Sequence, residues 1–307
     1  MFSRQFRKLV VASTIFNSAL FAVALTIAVT RGETKKEDAK AAIPEDALVL
    51  VVMDPLSAPL SCPCVEGYAQ RKYEVLGKYL EAKTNRKVAV VFAEALSKAL
   101  KDTGGRADLI VGKDSVVRSD GKKANLETTA VASLTGKDGK TTQNGLIVVR
   151  SDDPAKTIKD LAGYRIFLGP ADCTEKHQAA IQLLDFHKVA LPKKFEIDNA
   201  CSDGAGKVVE LGAKTRSAAV ISSYAAPLLE GCGTIKKGDL RVLGKTKPVP
   251  FVTVFATNHL DEKTRAKVEE ALFSSITEPD LLIAMESLLG FVPIVESDVE
   301  TDNAKKK

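Results

Sequence analysis

Tryptophan is absent from these 307 residues, and histidine and methionine occur only three times each. Without tryptophan, and with no basic stripe interleaved with aromatic side chains, the chain lacks the stacking and charged surface that grips nucleic acid, so no nucleic-acid partner is expected. The histidines, His177, His187 and His259, are scattered. No Ser-His-Asp ordering, His-Glu-x2-His helix or paired-carboxylate loop accompanies them. A glycine-rich phosphate loop is also missing, since Gly163 and Gly169 flank one strand without forming a nucleotide fingerprint. These absences favour a binding protein over an enzyme. Nor is there a block of one charge: the net charge is +5, and Arg4, Arg7 and Lys8 supply three of those charges. The 45% hydrophobic share and the length suit a globular body of two lobes.

The chain starts with basic residues and an apolar run over 9–29, an export-signal pattern about as long as a bilayer is thick. Residues 1–29 are read as a signal peptide or a membrane anchor, and both place the body outside the cytoplasm. Residues 30–45, charged and without apolar spacing, read as a flexible tether. Five cysteines, Cys62, Cys64, Cys173, Cys201 and Cys232, are expected to be partly oxidised in an exported chain. Cys173–Cys201 and Cys201–Cys232 are both candidate bridges, whereas Cys62 and Cys64 are too close for an unstrained mutual bond. Cys62, Cys64 and Cys173, with His177 beside them, also form a candidate soft-metal site for copper or zinc.

Buried strands and amphipathic helices then alternate. Strands are predicted at 47–53, 87–92 and 107–112, with a helix over 68–82 whose residues Tyr68, Val75, Leu76, Tyr79 and Leu80 share a face. Residues 118–144 are polar, carry two Asp-Gly turns, and read as a hairpin or surface excursion. Further strands follow at 146–150, 164–168, 195–197, 218–221, 240–243 and 248–256. Helices are expected at 174–187, 205–213, 223–230, 261–275 and 279–289. Such alternation predicts an α/β fold with parallel sheets covered on both faces.

The stretch 153–184, with its "DLAGYRIFLGP" phrase, and the stretch 239–272, DLRVLGKTKPVPFVTVFATNHLDEKTRAKVEEAL, resemble the phosphate/phosphonate-type periplasmic solute-binding proteins of ABC transporters. Residues 68–92, 107–112 and 218–229 extend the likeness. The resemblance implies the two-lobed type 2 periplasmic-binding fold with two interlobe crossing segments. Lobe one would comprise 46–150 and 247–297, lobe two 151–246, and residues 298–307 a charged tail. Hinges are expected at 146–152 and 246–250.

In that family the solute lies between the lobes at the carboxyl ends of strands. The candidate positions at the converging loops are Asp54, Lys113, Asp114, Ser115, Asp172, Cys173, Thr174, Ser222, Ser223 and Tyr224, with a helix N-terminus at Cys173–Thr174 facing the anion. Ala171, Asp172 and Cys173 stand where hydroxyls are expected, and two further positions depart from the pattern: Glu175 stands where a glycine is expected, and Ser222 replaces an acid before Ser223-Tyr224. A carboxylate beside a dianion repels it. The resemblance implies a monomer in the periplasm that captures a small anionic solute and docks on a membrane permease. A related alternative is an accessory protein of a periplasmic quinoprotein dehydrogenase, acting on a protein partner. The cysteine-based copper or redox protein is the third reading.

Overall fold

Leu48–Met53 is a strand because its run of aliphatic residues is buried on both faces. We describe a computed structural model of the chain, covering residues 43–61, 65, 69–192 and 194–295. This first strand, β1, lies inside a six-stranded sheet. It pairs in parallel with β2 (Val88–Phe92) and β3 (Leu109–Lys113). The strand β12 (Val252–Thr257) inserts antiparallel between β3 and β4 (Thr128–Leu134), and β13 (Phe291–Val292) closes the edge against β4.

Alternation along β1 divides the first lobe's core into two layers. Leu48, Leu50 and Val52 pack with Leu76 and Leu80 of α1 (Tyr73–Thr84), with Val268 and Leu272 of α7 (Glu262–Phe273), and with Leu281 of α8 (Pro279–Ala284). Val49, Val51 and Met53 face Leu96 and Ala99 of α2 (Leu96–Asp102) and Val117 of α3 (Asp114–Lys123). The buried positions of α1, namely Tyr73, Leu76, Gly77, Leu80 and Thr84, follow a helical stripe. Asn85 ends this helix in the left-handed region.

The second sheet has the order β10-β6-β9-β7-β8. Its strands are β6 (Gly145–Arg150), β7 (Arg165–Leu168), β8 (Glu196–Ile197), β9 (Ser217–Ser222) and β10 (Leu240–Lys245). One face carries α4 (Gln178–Phe186), through Ala180 and Leu184. The other carries α5 (Cys201–Glu210) and α6 (Ala225–Gly231), through Ala205, Val208 and Leu229. Two short strands, β5 (Thr142–Gln143) and β11 (Val249–Pro250), run antiparallel to each other where the chain passes between the sheets.

Several expectations need correction. Both sheets are mixed rather than parallel, because β12 returns against the direction of its neighbours and β6 runs antiparallel to β9 and β10. Residues 114–123 and 128–134 are a helix and an inner strand, not a surface excursion. Their signal is weak because α3 buries only Asp114, Val117 and Gly121, while β4 is built of threonine, alanine and serine as well as Val131 and Leu134. Helix α1 begins at Tyr73, five residues later than predicted, and Tyr68 lies outside the described residues. The first crossing falls at β5 rather than near 150, since 145–150 belong to the second sheet. The chain therefore passes from the first sheet to the second over 135–144, ahead of the 146–152 segment expected as a hinge. The segments 1–29 and 298–307, and all but the end of the 30–45 tether, lie outside the described residues. Among the described residues no helix is long and apolar enough to cross a membrane.

Candidate functional site

Strand β3 ends at Lys113, and its last step carries that side chain out of the first sheet towards the second. The residue is only 5% exposed, and its Nζ lies 2.6 Å from Oε1 of Glu175, a residue of the loop after β7. Burial works to lower the Lys113 pKa, but the Glu175 carboxylate outweighs it and the amine is held above its usual range. The hydroxyl of Ser222, at the end of β9, donates to the same Oε1 at 2.5 Å. These two departures from the family pattern thus touch each other: the acid expected near 222 stands at 175, and a hydroxyl has taken its place.

Bare glycines let this loop lie close to the sheet. A Cβ on Gly145 would stand 2.0 Å from the Glu175 carbonyl oxygen, and one on Gly169 would stand 2.5 Å from the Cβ of Lys176. The helix N-terminus expected at Cys173–Thr174 is absent, because α4 starts at Gln178 and Asp172 caps nothing there. The intervening residues form turns that use their own amides. Cys173 N–H donates to Pro170, and Lys176 and His177 N–H both donate to Cys173. Thr174 N–H is spent on Ser115 Oγ at 3.3 Å.

The same loop meets α3 through Ser115, whose hydroxyl donates to the Asp172 carbonyl at 2.6 Å, and through Lys123, 3.6 Å from the Asp172 carboxylate. Asp114 is turned away into a bidentate pair with Arg118 on its own helix, at 2.8 and 3.2 Å. Asp54, expected at the ligand, is fully buried and wholly engaged within the first lobe. It accepts from Arg71 Nη1 at 2.9 Å, from the Tyr73 hydroxyl at 2.6 Å and from Leu56 N–H at 3.0 Å. Burial, reinforced by Asp54, drives the Tyr73 phenol well above its ordinary range. Ser223 accepts from Asn144 N–H at 3.1 Å, which ties the start of α6 to the crossing segment. Tyr224 stacks on Phe251 at 4.8 Å between ring centroids, and burial raises its pKa well above the usual value.

A cavity of about 580 Å³ opens between the sheets beside Lys113. Met53, Leu56 and Val116 line it from the first lobe; Cys173, Asn199, Cys201 and Leu228 line it from the second. Lys176 also lines it. It is 4% exposed, donates to the Asn199 carbonyl at 3.2 Å, and has no carboxylate partner among the described residues. A second cavity of about 590 Å³ lies by the crossing strands, bordered by Arg71, Gln143, Asn144 and Ser223. Leu56, Tyr224 and Leu228 line both.

Cys173 and Cys201 carry free thiols, so neither proposed bridge through them is present. Ser222 N–H donates to Cys201 Sγ at 3.4 Å, which uses that sulfur locally. Burial pushes the Cys173 thiol up, against the pull of Lys113 and Lys176. Cys232 Sγ sits 3.0 Å from Thr234 Oγ1. Cys62 and Cys64 lie outside the described residues, and the copper or zinc expectation turns on them. Among the described residues no three His, Cys, Asp or Glu side chains are placed to hold a metal. His177 is spent on the Gly169 carbonyl at 2.8 Å and the edge of Phe195.

Sequence reasoning missed Lys176 and Arg71, whose roles depend on where a turn and a loop place them. Glu175 carried a signal, since its carboxylate, like that of Asp172, contradicts the expected ligand.

No curated protein matches the chain. Its fold is similar to that of a Xanthomonas citri protein solved with ATP bound, at a TM-score of 0.63 and 15% identity over 83% of this chain and 93% of that one. It is also similar to the PhnD1 protein of Prochlorococcus marinus in complex with methylphosphonate (TM-score 0.61, 12% identity, 83% and 95% covered). A binding protein component of an ABC phosphonate transporter from Pseudomonas aeruginosa gives a TM-score of 0.59 at 14% identity, with 83% and 84% covered. The latter two are two-lobed periplasmic binding proteins in fold. The family model for the periplasmic substrate-binding protein of phosphonate ABC transporters matches residues 67–300, most of the chain, and the protein belongs to that family.

Proposed function

We propose that the protein is a periplasmic solute receptor that holds a small organic anion of single charge between its lobes and presents it to a membrane permease. The family supports the transport role. One observation carries the choice of solute: Lys113 is already neutralised by Glu175, so among the described residues the buried cation left over beside the 580 Å³ cavity is Lys176. Relatives in fold were solved with methylphosphonate and with ATP. A multiply charged phosphorus oxyanion placed beside Lys113 here would face the Glu175 carboxylate at close range. An anion with an apolar body suits the walls formed by Met53, Leu56, Val116 and Leu228.

Titration calorimetry on the purified protein tests this reading with two panels, short branched or aromatic carboxylates against methylphosphonate and inorganic phosphate. Binding is expected in the carboxylate panel alone, weakened roughly tenfold or more by Lys176→Met through loss of a charge-assisted hydrogen bond. Tight methylphosphonate binding with a silent carboxylate panel would overturn it.

The second reading, an accessory protein of a periplasmic quinoprotein dehydrogenase, is favoured by the same carboxylate, since a cleft carrying its own anion has less need of a free one. Silence in both panels, with capture of a co-produced dehydrogenase, is the outcome that selects it.

A further inference from the structure

We propose that Glu175 is a built-in ligand: its carboxylate takes the position of an oxyanion solute between Lys113 and Ser222 and holds the two lobes together with no solute bound. The inference concerns the cleft of the proposed receptor and rests on that reading only for the site, not for the solute. Three observations carry it.

Glu175 is fixed to the second lobe and cannot withdraw. Its side chain is fully buried, its carbonyl lies against Gly145, and the loop is pinned by Gly169 N–H donating to Lys176 O at 3.2 Å. Its cationic partner comes from the other lobe, and Lys113, equally buried, has Glu175 as its carboxylate. A buried lysine stripped of that partner would be left uncompensated in a medium that solvates it poorly.

Glu175 also heads a set of contacts that join its loop to α3 across the cleft. Ser115 Oγ donates to Asp172 O, Thr174 N–H donates to Ser115 Oγ, and Lys123 pairs with Asp172. A solute that closes two lobes does so by bonding to both at once. Here the chain supplies such an anion itself.

Finally, Glu175 Oε2 is buried and has no hydrogen-bond partner among the described residues. A carboxylate left half-satisfied is a poor packing element. Its charge, answering Lys113, is what accounts for an acid at this position.

Two consequences follow. Closure does not wait for a solute. And removing the Glu175 side chain uncovers a latent oxyanion site made of the Lys113 amine and the Ser222 hydroxyl.

The test combines solution scattering with calorimetry against inorganic phosphate on the purified protein and its Glu175→Gln and Glu175→Gly variants. The wild type is expected to have the same radius of gyration with and without phosphate and to bind it weakly at most. Glu175→Gln, which keeps the shape and removes the charge, is expected to expand the protein by scattering, as its lobes part. Glu175→Gly is expected to bind phosphate roughly tenfold or more tightly than the wild type, through removal of a like charge from the site. A Glu175→Gln protein as compact as the wild type, or a Glu175→Gly protein indifferent to phosphate, would overturn the proposal. Should Glu175→Gly fail to fold, scattering from Glu175→Gln decides alone. Neither readout depends on the carboxylate panel, so a failed search for a transported solute leaves this test standing.

Discussion

Two buried ion pairs of nearly the same composition sit in different mechanical settings. Asp54, Arg71 and Tyr73 form an acid, a cation and a hydroxyl inside the first lobe, while Glu175, Lys113 and Ser222 form the same trio across the cleft. The first is saturated: both Asp54 oxygens have partners, Arg71 Nε also donates to the Met285 carbonyl at 3.2 Å, and its guanidinium lies 5.4 Å from the Phe251 ring centroid. The second leaves one carboxylate oxygen without a partner among the described residues. A saturated cluster between elements that do not move relative to one another acts as a structural rivet. An incomplete one between bodies that can part acts as a catch, because water enters when it opens and limits the cost of breaking it. The same chemistry therefore has different energetic weight in the two places.

The largest effect is expected from Asp54→Ala. It leaves the buried Arg71 guanidinium and Tyr73 hydroxyl without their acid, and Arg71 with only the second cavity beside it. Removing one partner of a buried pair costs about 3–5 kcal/mol, and in a domain of this size the melting temperature falls by about 10 °C. Thermal unfolding followed by circular dichroism measures it. A change near zero would mean that the cluster is not the rivet its geometry suggests.

How much of this contrast was legible in the sequence depends on distance along the chain. The aliphatic run of β1 and the stripe of α1 were readable because period and burial are local properties. The resemblance of 239–272 placed the return to the first lobe. It did not reveal that β12 inserts antiparallel between β3 and β4, which is a matter of long-range pairing. Asp54 was selected for its place at a strand end, and the place is right. What was invisible was Arg71, seventeen residues on, which binds the Asp54 carboxylate to the core. Lys113 and Ser222 were found by position, and Glu175 by its wrong charge. That Glu175 would land on both of them is a product of the tertiary fold, and no spacing rule encodes it. The helix at 114–123 was missed because its inner face is mostly small or polar.

A smaller effect is expected from Lys113→Met, which leaves the Glu175 carboxylate without its cation. If the cleft can open and hydrate that acid, the loss of stability should be about 1–2 kcal/mol, well short of the Asp54→Ala figure. The protein should expand in solution scattering at the same time. Alkaline pH imitates this change reversibly. Lys113 has a folded-state pKa raised above the ordinary lysine value of 10.5. Its contribution is therefore complete below 10.5 and disappears as pH climbs through the higher folded value. Expansion is expected only above that point, with no change between pH 7 and 9. A loss of stability equal to that of Asp54→Ala, with no expansion, would erase the distinction between catch and rivet.

The smallest effect belongs to Ser115→Ala, and it is the sharpest discriminator because it touches no charge. Ser115 Oγ donates to the Asp172 carbonyl and accepts from Thr174 N–H, so one hydroxyl links α3 to two residues of the opposite loop. Its removal should cost about 1 kcal/mol in the closed state, the usual net worth of a hydrogen bond whose partners can turn to water. The open state contains neither bond and should be unaffected. The variant is therefore expected to lower the melting temperature slightly in the wild-type background and not at all in the Lys113→Met background, where the lobes are already apart. Scanning calorimetry of the four proteins forms a double-mutant cycle. A coupling close to the full single-mutant effect means that Ser115 and Lys113 act on one closure step. Strict additivity would mean that the two contacts are independent and that the cleft does not open as a unit.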